Sequence, residues 1–189
     1  MTFRYTNQKG ETYYLQKGTG TKGKVRYFFS KKETGTLVES VPEGYEIYED
    51  PNGRVFLRRI VSKKIKEEEI SVVENSIRQY AKAKDYKIDV KGKAITIYLP
   101  DQEIEDLRRY FDSSISENQS LLDSFLKNIL TYSPVIRFIL TDEKERNFHV
   151  ERAEFLDDSW YFLDGSKDLR KLAQKYCRHL GRDSLYDLL

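Results

Sequence analysis

The chain has 189 residues, of which 39% are hydrophobic and 34% are charged, with a formal net charge of +2. This length and apolar content allow a packed core in one domain or two small ones, and they argue against disorder. The single cysteine, Cys177, excludes an internal disulfide and a multi-cysteine zinc site. No apolar run approaches the roughly 20 residues that cross a bilayer. We therefore expect a cytoplasmic protein that has no membrane partner.

The charge is divided unevenly along the chain. Residues 1–66 contain 14 Lys and Arg against 7 Asp and Glu, whereas residues 67–189 contain 19 against 24. Between Lys9 and Lys32, seven cations stand with a single anion, Glu11, among five aromatic residues. Cations neutralise phosphates and aromatic rings stack on bases, so this segment predicts a nucleic-acid-binding surface.

Alternating polar and apolar residues predict strands in the N-terminal third, at residues 13–15 and 25–29. Two further runs, residues 45–49 and 54–60, flank Asp50-Pro51-Asn52-Gly53. Because proline fixes one turn dihedral and Asn-Gly tolerates positive φ, this segment predicts a β-hairpin. We expect residues 1–66 to form a basic antiparallel β-meander.

Helical periodicity begins near residue 67, behind the acidic run Glu67-Glu68-Glu69. The pattern predicts, in order, a helix at 70–81, strands at 86–90 and 94–99, and a short helix at 104–111. A broad apolar helix at 121–130, strands at 135–140, 146–155 and 159–163, and a final helix at 167–180 follow. The fold class is therefore α+β, with an α-β-β-α order followed by an α-β-β-β-α order. Residues 67–189 form the second predicted domain, with a subdivision near 112–118 left open.

The final helix carries a row of cations. With Ser166 as its expected N-cap, Lys167, Lys171, Lys175 and Arg178 fall within a narrow stripe opposite the apolar side. Such a stripe can follow a phosphate backbone, or it can be an ordinary solvated face.

The element order of residues 118–180, with the final helix opening Gly165-Ser166-Lys167, resembles the double-stranded RNA-binding domain. In that family, lysines at the start of the last helix grip phosphates across a groove. Here Asp168 stands where the family has a second lysine.

A second resemblance concerns the blocks Arg26–Lys32, Pro42–Glu49 and His179–Leu185. These are similar to stretches of bacterial proteins that have no assigned function. The resemblance therefore implies no activity.

The sequence offers little for catalysis. Cys177 lies on the apolar side of its helix, and the two histidines, His149 and His179, do not make a metal site. One alternative is a metal-dependent nuclease, in which Asp89-Val90-Lys91 would act with Glu74. A solvated edge strand explains the same triplet. We predict no catalytic residues, no metal and no cofactor.

These observations favour a non-enzymatic module that associates with nucleic acid. The candidate binding residues are Lys22, Lys24, Arg26, Lys31, Lys32, Lys167, Lys171, Lys175 and Arg178. The alternative is a protein-binding adaptor, for which the acidic C-terminal part and the apolar tail, residues 185–189, supply the surfaces.

Overall fold

The computed structural model describes residues 2–20, 23–111, 119–154 and 157–188. The α+β class is confirmed, with all strands pairing antiparallel. The chain divides into two compact units, Met1–Val61 and Ser62–Leu189. The expected boundary was residue 66, and Ile65 belongs to the core of the second unit. Independent folding of the two units stays a prediction.

The described residues of the first unit form six strands in two small sheets. These are β1 (Arg4–Thr6), β2 (Thr12–Thr19), β3 (Val25–Ser30), β4 (Thr36–Leu37), β5 (Tyr45–Glu49) and β6 (Val55–Arg59). Strand β2 is central: Tyr14 pairs with both β1 and β3, and Gln16 pairs with both β3 and β4. Strands β5 and β6 form the predicted hairpin, where Asp50 Oδ1 accepts from the backbone N–H groups of Asn52 and Arg54.

The two faces of β3 differ in their surroundings. Tyr27 and Phe29 share the face of Leu15, which is fully buried. On that face, Tyr27 contacts Tyr45 of the hairpin with 6.1 Å between ring centroids. Arg26 lies on the opposite face, paired across the sheet with Gly18. The hairpin therefore contacts the Tyr27 face of β3, whereas Arg26 and Phe28 lie on the opposite face.

Within the described part of the second unit there are four helices and a five-stranded sheet in the order β11-β10-β9-β8-β7. The elements are α1 (Glu67–Tyr80), β7 (Lys87–Lys91), β8 (Ala94–Pro100), α2 (Ile104–Phe111), α3 (Gln119–Ile129), β9 (Tyr132–Asp142), β10 (Asn147–Ala153), β11 (Trp160–Ser166) and α4 (Leu169–Cys177), followed by a 3₁₀ turn at Asp183–Leu185. Helices α1 and α4 pack together, and their apolar sides share one core with the sheet. None of the helices in the described ranges is long and apolar enough to cross a membrane.

Several local expectations were wrong. Ser166 is the last residue of β11, and Asp168 caps α4 instead by accepting from the backbone N–H of Lys171 at 3.1 Å. Helix α3 buries Leu122 and Leu126, but Phe125 and Ile129 are exposed, so its buried stripe is narrower than its composition suggests. The expected subdivision near 112–118 lies outside the described residues.

The element order that resembles the double-stranded RNA-binding domain, α3-β9-β10-β11-α4, is present. Its three strands continue into β8 and β7, and α4 packs against α1. The three strands of this segment are therefore part of a larger, five-stranded sheet.

Candidate nucleic-acid interface

A cleft of about 550 Å³ lies beside β3 and β6. Tyr27, Phe28 and Phe29 of β3 line it together with Phe56 of β6. Arg26 is the one charged side chain among the described residues that line the cleft. The cleft therefore combines several aromatic rings, on which flat groups can stack, with a single positive charge.

The cations predicted in the first unit do not form one surface. Lys24 and Arg26 are exposed at the start of β3, and among the described residues neither has an ion pair. Lys31 lies on the other face of the sheet, where its Nζ is 2.6 Å from Glu11 Oε1 and 5.7 Å from the Tyr13 ring centroid. Lys24 and Arg26 are therefore near the cleft, whereas Lys31 is not.

The two remaining predicted cations of this unit are Lys32 and Lys22. The backbone carbonyl of Lys32 accepts from Gln16 Nε2 at 2.6 Å, and its side chain is exposed. Lys22 lies outside the described residues.

The rings of the cleft are held by their neighbours. A Cβ placed on Gly18 would lie 3.3 Å from Phe28 Cε1, so the Phe28 ring rests against the glycine backbone. Phe56 stacks beside Tyr48, with 6.2 Å between centroids and 28° between planes. The guanidinium of Arg58 lies 4.1 Å from the Tyr48 centroid, which extends this contact along the outer face of the hairpin.

Sequence reasoning missed Phe56 and Tyr48. The available signal was the apolar run Val55-Phe56-Leu57 in a two-stranded hairpin. Because successive side chains of a strand point to opposite faces, one residue of such a run must face outward. That residue is Phe56, which is 45% exposed.

The cations of α4 face carboxylates within their own unit. Lys167 pairs with Glu145, Lys171 pairs with Asp168, and Lys175 Nζ lies 2.6 Å from Asp164 Oδ2. Lys175 and a backbone N–H hold the pKa of the Asp164 carboxyl below its usual range. Arg178 Nε donates to the Gln174 carbonyl at 3.2 Å. The positive charge of the predicted stripe is therefore largely balanced by the neighbouring carboxylates.

The charge difference between the two units is smaller than the sequence division suggested. Residues 1–61 contain 11 Lys and Arg against 7 Asp and Glu, a net charge of +4. Lys63, Lys64 and Lys66, which raised the N-terminal excess, belong to the second unit. For a binding surface, the local concentration of cations near β3 is therefore more informative than the net charge of the whole unit.

The groups considered for catalysis do not converge. Cys177 is fully buried, and burial raises the pKa of its thiol to about 12. Asp89 lies on the sheet face opposite to Val90, whereas α1, which carries Glu74, packs on the Val90 side. Within the described ranges, no group of three or more His, Cys, Asp and Glu could hold a metal.

The apolar tail, which was expected to offer a protein-binding surface, is folded onto the second unit. Leu185 is buried in the core, Leu188 packs against it, and the Leu188 carbonyl accepts from Arg152 Nε at 3.1 Å. Leu189 lies outside the described residues. Of the described tail residues, Leu185 is therefore buried and Leu188 partly buried, whereas Tyr186 is 55% exposed.

No protein-family model, no curated protein and no solved structure matches the chain. The two resemblances stated above therefore stay predictions.

Proposed function

We propose that residues 1–61 form a non-enzymatic module that associates with nucleic acid at the cleft beside β3 and β6. The observation that carries the proposal is the lining of this cleft, in which Arg26 lies together with Tyr27, Phe28, Phe29 and Phe56. Lys24 adds a second exposed cation two residues away. Cations neutralise phosphates and rings offer faces to bases, so this combination suits a nucleic-acid strand.

The α4 stripe is not part of the proposed surface, because Lys167, Lys171 and Lys175 already face carboxylates. We expect little sequence preference, because phosphate contacts and stacking on aromatic rings do not depend on the hydrogen-bonding groups of the base edges.

The test is a titration of labelled single-stranded and duplex oligonucleotides by fluorescence anisotropy, repeated at several salt concentrations. The logarithm of the binding constant should fall linearly with the logarithm of salt, by about 0.7 to 0.9 for each phosphate contacted. The variant K171E/K175E should bind like the parent chain. Failure to bind at tens of micromolar protein in low salt would overturn the proposal, because non-specific binders reach about 10⁻⁴ to 10⁻⁶ M even at physiological salt.

A second candidate function, a protein-binding adaptor, is supported by a different feature. Strand β11 is an edge of the sheet, exposes Tyr161 and Phe162, and contains no lysine or arginine. An edge strand with exposed apolar side chains can pair with a strand of another chain. Phe162→Lys should reduce capture of a protein partner by the immobilised chain while leaving nucleic-acid binding unchanged.

A further inference from the structure

The aromatic rings of the cleft have faces that are free to accept a ligand. Phe28 is 37% exposed and Phe56 is 45% exposed, although both are large apolar side chains with no polar group. Both line the same cleft, one from β3 and the other from β6. Two exposed phenylalanines that share a cleft are a surface to which flat apolar groups can bind.

These rings are held in place before any ligand arrives. Phe28 rests against Gly18, and Phe56 is stacked beside Tyr48. Arg58 lies over Tyr48, and its Nε donates to Glu46 Oε1 at 2.8 Å. A side chain that is already fixed loses little conformational freedom on binding, so such rings are favourable stacking partners.

The positive charge stands next to these rings. Arg26 lies on the same face of β3 as Phe28, two residues away, and Lys24 precedes it. This spacing allows one strand of nucleic acid to place phosphates at the cations while its bases reach the rings.

We infer that the cleft selects single-stranded over duplex nucleic acid by stacking unpaired bases on Phe28 and Phe56. The inference rests on the proposed function and adds the class of ligand. In a duplex the bases are stacked on one another, so their faces cannot meet a ring without unpairing. The cations can contact phosphates of both the single strand and the duplex, whereas the rings can stack only on the unpaired bases of a single strand.

The experiment uses the full chain and one DNA sequence of about 12 nucleotides, a length within the span of a small β-domain. The oligonucleotide is titrated as a labelled single strand and as a labelled duplex under the same salt conditions. We expect the single strand to bind at least about fivefold more tightly, the effect of one stacked base.

Variants then separate the rings from the charge. Phe28→Leu and Phe56→Leu keep an apolar side chain but remove the ring, so each should weaken single-strand binding by about fivefold or more and leave duplex binding unchanged. Phe162→Leu, at a 59% exposed ring of the second unit, is the matched control and should change neither affinity. Thermal unfolding of each variant checks that the fold is retained.

The outcomes distinguish this inference from the proposed function. Equal affinity for single strand and duplex, or equal losses for both in the two ring variants, would overturn the single-strand inference and leave nucleic-acid binding in place. Failure of both forms to bind would overturn both.

Discussion

Lys31 Nζ lies 2.6 Å from Glu11 Oε1, on the face of the N-terminal sheet opposite to the face that carries Arg26. The two cations are five residues apart in the sequence, yet only Arg26 lines the cleft. The strand thus separates a charge that faces the proposed ligand from a charge that is paired within the protein.

This separation predicts different effects for two equivalent substitutions. Arg26→Ala should weaken single-strand binding and lower the salt slope by about 0.7, because one phosphate contact is lost. Lys31→Ala should leave the slope unchanged. Anisotropy titrations at four or more salt concentrations measure both slopes, and equal reductions would show that the binding surface is not confined to the Arg26 face.

The position of the boundary between the units predicts the behaviour of two fragments. Ile65 is 6% exposed in the core of the second unit, and the N–H of Lys64 donates to the Gly92 carbonyl at 3.1 Å. We expect fragment 62–189 to unfold cooperatively. Fragment 67–189 should be less stable by about 2 kcal/mol, because it lacks the buried isoleucine.

Urea unfolding followed by circular dichroism compares the two fragments. Equal midpoints would contradict the placement of Ile65 in this core. A gradual transition for fragment 62–189 would contradict its independent folding.

The close approach of Gly181 to Ala83 predicts that replacing this glycine strongly destabilises the protein. Gly181 has φ of +75°, and a Cβ there would lie 2.6 Å from the Ala83 backbone nitrogen. Gly181→Ala should therefore destabilise the protein by about 3 kcal/mol, through backbone strain and overpacking together. Gly92→Ala is the control, since Gly92 has φ of +59° but no atom within 4 Å of such a Cβ, and it should cost about 1 kcal/mol. Chemical denaturation measures the unfolding free energy of both variants. Similar losses of unfolding free energy in the two would show that the structure around Ala83 can shift to accept the added Cβ.

His179 predicts a dependence of stability on pH. Burial, with further contributions from Arg178 and Arg182, lowers the pKa of its imidazole, and Nδ1 lies 2.9 Å from Ser184 Oγ. Since the unfolded chain binds the proton more readily, the protein should lose stability as pH falls below the ordinary histidine value of about 6.5.

The variant His179→Gln should lose the part of this dependence that belongs to His179, whereas His149→Gln should retain it. Unfolding free energies measured between pH 7 and pH 5 provide the comparison. An unchanged slope in His179→Gln would rule out this group as the cause.

Local patterns predicted most of the elements. The Asp50–Gly53 turn identified its hairpin, and the periodicity after residue 67 located α1 because both signals depend on neighbouring residues. The predicted start of α4 was wrong, because Ser166, the expected N-cap, is the last residue of β11 and Asp168 caps the helix instead.

The candidate site was only partly predictable. Arg26 and Phe28 were evident as a basic aromatic segment, but the cleft also needs Phe56, which lies 28 residues further along the chain. Likewise, two of the carboxylates that pair with the lysines of the predicted stripe, Asp164 and Glu145, come from β11 and from the turn between β9 and β10. Contacts of this kind depend on tertiary structure, so periodicity and composition could not supply them.

The most direct test of the central proposal is the position at which nucleic acid contacts the protein. The chain contains ten phenylalanines, so fluorine-labelled phenylalanine gives a set of signals in which Phe28 and Phe56 can be assigned from Phe28→Leu and Phe56→Leu. On titration with a single-stranded oligonucleotide, these two signals should shift and saturate with the binding curve, while the signals of Phe148, buried in the second core, and Phe162 should not move. Saturated binding with unmoved Phe28 and Phe56 signals would contradict the assignment of the site to the cleft.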